Sequence, residues 1–380
     1  MQFLGLLFCV LWTLANNVAA KKKPPEPFFD AFGRTVDLEL LDPKNQELAY
    51  ASEEPMNTSF IDTHRRANLL LTNDDGWAEK QFRVFYDELR RYGHNVIVSA
   101  PTRDKSKKGD KWQLGKKVGK GCQYDSCGHP SKGNIGVDKK DHSLHWVEGS
   151  AFASMVEGVN STWPQHATNQ SHPKLDMVLA GPNIGHNYGY KNSKSGTTGA
   201  AVFANRVFKL PSIAFAGWNN KRSAWNVPTT TEQLAYAELA VNLTNRVLAN
   251  GHPFLPEGTV LNVNFPKYRH RGQCSLGNFK FVLSRVNYRV PSLTPEEDDI
   301  KICGSSVLPT ECAVVSRKEE NTCYVSVTPM ASWTKRSAGT LEQAAVLGQL
   351  EGFLSCLPAQ SGLKKWGTNL GCLLRIWDRW

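Results

Sequence analysis

Long apolar runs are scarce in this 380-residue sequence. The most prominent, Phe3 to Leu14, falls well short of the roughly 20 residues that a membrane span needs, and no later segment offers a candidate span. The first twenty residues lack Asp, Glu, Lys and Arg altogether, and the apolar run gives way to Val18-Ala19-Ala20 ahead of Lys21-Lys22-Lys23. That order predicts a secretory signal peptide, residues 1-20, cut near Ala20. The mature chain is then expected outside the cell, in the cell wall or in a vacuole. No Cys-x-x-Cys pair occurs and the cysteine spacings are irregular, which argues against a structural zinc site. Neither does a G-x-x-x-x-G-K-[ST] loop occur, which excludes a Walker-type NTPase. The ten histidines form no cluster with metal-ligand spacing, and Tyr268-Arg269-His270-Arg271-Gly272 interrupts the Arg-His-Gly of the histidine acid phosphatases.

The formal charge of +10 is unaccompanied by a zinc-finger, RRM or helix-turn-helix pattern, so recognition of a nucleic-acid polymer is not expected. Part of the excess lies in Lys105 to Lys120, which reads chiefly as a solvated loop and secondarily as an attractor of anionic substrates. Cys9 leaves with the signal. Cys122, Cys127, Cys274, Cys303, Cys312, Cys323, Cys356 and Cys372 remain, an even set expected to form disulfides whose pairing stays open. Asn57, Asn160, Asn169 and Asn242 are N-x-Ser/Thr acceptors, which fits the same secretory route.

With 41% apolar residues the chain can bury a sizeable core. Residues 21-66 are Pro-rich and weakly periodic, an N-terminal arm. Ala67 to Thr72 is a short apolar run of the kind that fills a buried parallel strand. From Ala78, the residues Phe82, Phe85, Leu89 and Tyr92 recur at helical spacing and Gly93 supplies the stop. Val96-Ile97-Val98 then gives a second strand, completing a βαβ unit. The pattern returns as a strand over Asp176 to Ala180, a helix over Thr198 to Leu210, and strands over Ser212 to Gly217 and Val260 to Phe265. The fold class expected is therefore α/β, a Rossmann-like, doubly wound, mostly parallel sheet with a C-terminal β-rich extension. Residues 107 to 147 read as a long loop or irregular hairpin, pinned by Cys122 and Cys127. Ligands of open α/β sheets sit beyond the carboxyl ends of the strands.

Two polar clusters fall at such ends. Asn73-Asp74-Asp75-Gly76 places two carboxylates on what reads as an exposed loop, where both can converge on a hard divalent cation. A bare Asp-Asp-Gly is better read as a helix cap plus a solvated acid, and it is the surrounding donors that favour the cation. Ser106 after the second strand offers a hydroxyl, and Asn183 an amide oxygen, which would complete a metal shell without adding charge. Ser195-Gly196-Thr197-Thr198-Gly199 precedes a helix, so its N–H groups and hydroxyls can form a nest for phosphate oxygens.

Leu70 to Gly76, Gly181-Pro182-Asn183-Ile184-Gly185-His186-Asn187, Ser195 to Ala201 and Leu261-Asn262-Val263-Asn264-Phe265-Pro266 together resemble the SurE family, in order and in spacing. The resemblance covers about 67-330, leaving 331-380 as an extension of unassigned role. It implies a metal-dependent phosphomonoesterase, a nucleotidase or acid phosphatase of the eukaryotic secreted branch, assembling as a homodimer or larger homo-oligomer. By the same resemblance Asp74, Asp75, Ser106 and Asn183 hold the cation, Mg²⁺ or Mn²⁺, Asn187, Ser195, Gly196 and Thr197 form the phosphate pocket, and Asn73 orients the loop. Asp74, Asp75 and Asn187 are the expected catalytic set. The substrate would be a small phosphomonoester or nucleotide, attacked by water or, alternatively, by Asp74 itself. The sequence departs from the family at Thr102, at Lys107 and around Gly149-Ser150-Ala151-Phe152-Ala153. Those departures leave open a second reading, a secreted phosphate- or nucleotide-binding protein with weakened turnover.

Overall fold

In this computed structural model the residues described are 66-358, apart from 110, 112, 116-120, 128-133, 169, 220, 269-273, 275, 289-297, 318 and 320. The signal peptide, Asn57, Asn169, Cys372, Trp377 and Trp380 lie outside them, as does nearly all of the arm. So does much of the basic stretch ending at Lys120.

The elements alternate in chain order. Strand β1 (Asn68–Thr72) is followed by helix α1 (Lys80–Arg91) and β2 (Asn95–Pro101). Then come β3 (Ile135–Val137), β4 (Leu144–Val147), α2 (Ala151–Glu157) and α3 (Trp163–Ala167). Next are β5 (Met177–Asn183), α4 (Lys191–Lys194), α5 (Gly196–Phe208), β6 (Ser212–Ala216), α6 (Thr231–Ala249) and β7 (Thr259–Asn264). The described chain closes with β8 (Phe279–Leu283), α7 (Glu311–Val315), β9 (Cys323–Ala331) and α8 (Thr340–Gln349).

One sheet takes all of these strands in the order β3-β4-β2-β1-β5-β6-β7-β9-β8. From β4 to β7 every neighbouring pair is parallel, so the expected α/β sheet is what forms. Period-two alternation in β1 explains the two covered faces. Leu69 and Leu71 join Phe82, Phe85 and Leu89 of α1 in one core, whereas Leu70 joins Phe152, Met155, Ala200 and Ala204 on the other side. Burying one such aromatic or leucine side chain stabilises the fold by about 1.5–3 kcal/mol. The chain leaves β1 toward β2 on one side and returns to β5 on the other. That reversal opens a crevice at the carboxyl ends of β1 and β5.

Residues 107-147 hold the irregular hairpin expected there, with Cys122 bonded to Cys127: β3 and β4 pair antiparallel, and β4 in addition joins β2 in parallel. Leu144, Trp146 and Val147 are buried there, but the strands are only three and four residues long and their glycine- and lysine-rich flanks hide the alternation. The fold also runs past residue 330. β9 lies between β7 and β8, Val346, Leu350 and Leu354 enter the core of Phe281, and Cys356 is bonded to Cys303. Cys122–Cys127 and Cys274–Cys323 are the other described bridges. No helix among the described residues is long and apolar enough to cross a membrane.

Candidate active site

The turn after β1 is fixed by Asn73. Its amide oxygen accepts from Gly76 N–H and its Nδ2 donates to Gly76 O, both at 3.1 Å, so this side chain orients the loop. The turn is not exposed. Asp74 and Asp75 are 2% and 1% accessible, against the expectation of an exposed loop, because α5 and the segment after β5 close over them.

Asp74 makes the sheet-to-helix contact. Oδ2 accepts from Gly196 N–H at 3.0 Å and Oδ1 from the Thr197 hydroxyl at 2.5 Å. The Thr197 hydroxyl also lies 3.3 Å from Asn183 Oδ1, which ties the end of β5 to the same point. Asp75 Oδ2 accepts from Ile184 N–H at 2.7 Å. Its Oδ1 lies 3.0 Å from an Arg222 nitrogen, but without hydrogen-bond geometry, so this buried oxygen has charge compensation and no directed donor. Burial raises the Asp74 carboxyl above its ordinary value, with the Thr197 hydrogen bond opposing. Burial, then the charge of Asp74, pushes Asp75 up more strongly, with Arg222 opposing.

Ser106 is drawn in from the loop after β2, whose Lys105 N–H bonds Asp74 O at 2.7 Å. Its hydroxyl donates to Asp104 Oδ1 at 2.5 Å and stands 3.4 Å from Arg222. Arg222 therefore places one guanidinium nitrogen among Asp75 Oδ1 (3.0 Å), Asp104 Oδ2 (3.1 Å) and Ser106 Oγ (3.4 Å). A cationic atom thus sits amid three oxygens, two of them from expected ligands, Asp75 and Ser106, whereas Asp74 and Asn183 meet at the Thr197 hydroxyl instead. Two buried carboxylates, an amide oxygen and a hydroxyl are hard donors of the kind Mg²⁺ and Mn²⁺ take. No group of three or more His, Cys, Asp or Glu with metal-site geometry exists among the described residues, so neutral oxygens must complete any shell.

Around α5 the expected phosphate nest is already filled. Gly196 and Thr197 N–H both turn to Asp74, and Thr198 N–H bonds Ser195 Oγ at 3.0 Å as an N-cap. Donors remain nearby: Asn187 Nδ2, Asn264 Nδ2 and Thr198 Oγ1 are buried with no partner among the described residues. Asn187 is held by its backbone. Its N–H bonds Asn264 Oδ1 at 2.8 Å and its carbonyl accepts from Asn262 Nδ2 at 3.0 Å. Asn262 in turn bonds Glu311 at 2.6 Å, and Glu311 also accepts from Gly189 N–H at 3.2 Å. Burial lifts the Glu311 carboxyl to about 8.

Sequence reading missed Arg222, Asp104, Glu79 and Glu311. Glu79 is 1% accessible and accepts from Tyr124, Arg222 and Ser223 N–H. Each comes from a separate stretch, with no local motif to mark it. Only the Asn262-Val263-Asn264 stretch hinted at their neighbourhood.

The Survival protein SurE family model matches residues 69–287. The chain belongs to the SurE family. An acid phosphatase of Yarrowia lipolytica is 32% identical over 221 residues, 55% of this chain and 60% of that protein. The 5'-nucleotidase SurE of Lawsonia intracellularis is 31% identical over 199 residues, 52% of this chain and 66% of that protein. This SurE-family chain thus spans less than two thirds of the length of either relative. The crystal structure of the SurE protein from Aquifex aeolicus aligns at 23% identity, over 70% of this chain and 93% of that one, with a TM-score of 0.43.

Proposed function

We propose that this SurE-family chain is an exported phosphomonoesterase that depends on a divalent cation, with small phosphate monoesters such as nucleoside monophosphates as substrates. The observation that carries the reading is the meeting of Asp74, Asp75, Asn183 and Ser106 at the reversal of strand order, next to the orphaned Asn187 donor. An acid phosphatase and a 5'-nucleotidase among its relatives agree with it. Export is supported by the disulfides and by the exposed acceptors Asn160 and Asn242.

In this reading Asp74, Asp75, Asn183 and Ser106 hold Mg²⁺ or Mn²⁺. The cation, when bound, supplies Lewis-acid stabilisation of the charge that develops on phosphoryl oxygens. Asn187 Nδ2 and the Ser195 hydroxyl donate to the phosphoryl group, and the N-terminal end of α5 adds its positive dipole end. Both oxygens of Asp74 already accept hydrogen bonds that reduce their nucleophilicity. Water is therefore the attacking group, and Asp74 acts by position. Thr197 holds Asp74 against Asn183, and Ile184 N–H fixes Asp75, so the two ligating carboxylates arrive preorganised.

The test is hydrolysis of p-nitrophenyl phosphate with Mg²⁺ or Mn²⁺, with EDTA, and by Asp75→Asn. Activity that needs the cation and vanishes in the variant is expected. Hydrolysis indifferent to EDTA, or retained by Asp75→Asn at saturating metal, overturns the reading.

A further inference from the structure

At the sheet edge opposite the aspartates, a cavity of about 640 Å³ opens between the last turn of α5, the start of β7 and the turn after β9. That volume lies within the range, roughly 300–1,000 Å³, in which proteins hold small ligands. It is separate from the candidate active site: α5 has 13 residues and reaches from one to the other, about 20 Å at the helical rise.

The chemistry of the lining points to a polar occupant. Asn205 (6% accessible), Thr259 (0%) and Ser332 (0%) belong to it, and each has a side-chain oxygen that is buried without a partner among the described residues. Those oxygens are closed to water, so they belong to the polar wall behind the cavity and are not themselves contacts of an occupant. Charge on the walls is uneven. Arg285 is paired with Asp299 at 2.5 Å and Lys209 with Glu257 at 3.5 Å. Arg206 and Arg336 have no carboxylate partner among the described residues, and Glu342 has no cation, which leaves the unpaired set one charge positive. Trp333 is 67% exposed at this site, with Arg206 and Lys209 at 5.7 and 5.9 Å from its ring centroid. An aromatic plate beside cations takes a planar ring that carries an anion.

We propose that this cavity is a second binding site, distinct from the hydrolytic one, for a small phosphate ester that carries a planar ring, of the nucleoside monophosphate class. Arg206 and Arg336 meet the phosphate and Trp333 meets the base. Nothing in this assignment depends on turnover at the aspartates.

The experiment is calorimetric titration of the full chain, in an Asp75→Asn background so that substrate survives, with adenosine 5'-monophosphate, ribose 5-phosphate and inorganic phosphate as separate ligands. The double substitution Arg206→Ser/Arg336→Ser should weaken one adenosine monophosphate binding event at least tenfold. Made in the parent chain, it should leave p-nitrophenyl phosphate hydrolysis unchanged. Trp333→Ala, at an exposed position that tolerates truncation, should weaken adenosine monophosphate more than ribose 5-phosphate. An adenosine monophosphate isotherm unchanged by both sets of substitutions overturns the site, as does binding lost only on Asn187→Ala. If the double variant does not fold, Trp333→Ala alone decides: equal affinity for adenosine monophosphate with and without the indole overturns the proposal.

Discussion

Asp74 and Asp75 are neighbours with different work. Asp74→Ala strands the Gly196 and Thr197 N–H groups, both buried, so it should lower stability by about 1–3 kcal/mol as well as abolish phosphatase activity. Asp75→Asn removes one of two buried, mutually repelling carboxylates while Arg222 keeps Glu79 and Asp104. In EDTA it should melt at or above the parent temperature and still be inactive. Melting curves of the two variants, side by side, check the contrast. Glu311 gives a pH-dependent counterpart. Its folded carboxyl titrates near 8 against an ordinary 4.5, so the folded state binds the extra proton between those values. Its contribution to stability is complete below about pH 4.5 and is lost as pH rises toward 8. Glu311→Gln keeps an acceptor for Asn262 and removes the titration. The variant should lose less stability than the parent between pH 5 and 8, as read by melting temperature, and its Asn187 loop should stay formed at the alkaline end.

At the scale of elements, α5 is the piece that makes the site. Its N-terminus is capped twice, by Ser195 Oγ on Thr198 N–H and by Asp74 from a strand far away in sequence. Ser195→Ala should therefore lower stability by about 1 kcal/mol through the lost cap, and also weaken vanadate inhibition if the hydroxyl donates to phosphate as proposed. Gly196 is required for a different reason. A Cβ there would lie 2.8 Å from Asp74 Oδ2 and 2.9 Å from its Cβ, so Gly196→Ala pushes the carboxylate off its seat. Gly196→Ala should reduce turnover much more than Ser195→Ala, with kinetics and melting measured on the same preparations. Much of this element was legible. The strand-loop-helix order, the two aspartates and the Ser-Gly-Thr-Thr start are local patterns, and β1, α1, β2, β5, α5, β6 and β7 lie within a few residues of where periodicity puts them. What was not legible is tertiary. That Gly196 faces a carboxylate, or that Arg222 reaches Ser106 across 116 residues, has no period to betray it.

Across the whole molecule, the described disulfides fall into two classes. Cys122–Cys127 closes a separation of five residues, whereas Cys274–Cys323 and Cys303–Cys356 close separations of 49 and 53 around β8 and β9. Long closed loops restrict the unfolded chain more than short ones, and each such bridge is typically worth about 2–5 kcal/mol. Reduction should lower the melting temperature, and replacing both cysteines of either long bridge by serine should cost more than Cys122→Ser/Cys127→Ser. Even cysteine number made the bridges foreseeable; their partners required the sheet, because strand order decides which distant segments meet.

If the proposed divalent ion binds at Asp75 and Ser106, the guanidinium of Arg222, set among Asp75, Asp104 and Ser106, makes its uptake an exchange reaction. The entering ion would compete with a tethered cation whose local concentration never falls, so the arginine would set a threshold that weakly binding ions do not cross. Arg222→Gln should tighten the apparent Mn²⁺ or Mg²⁺ dissociation constant in calorimetry while lowering the melting temperature in EDTA. The gap between variant and parent should close as the ion is added, since either cation can serve as the counter-charge.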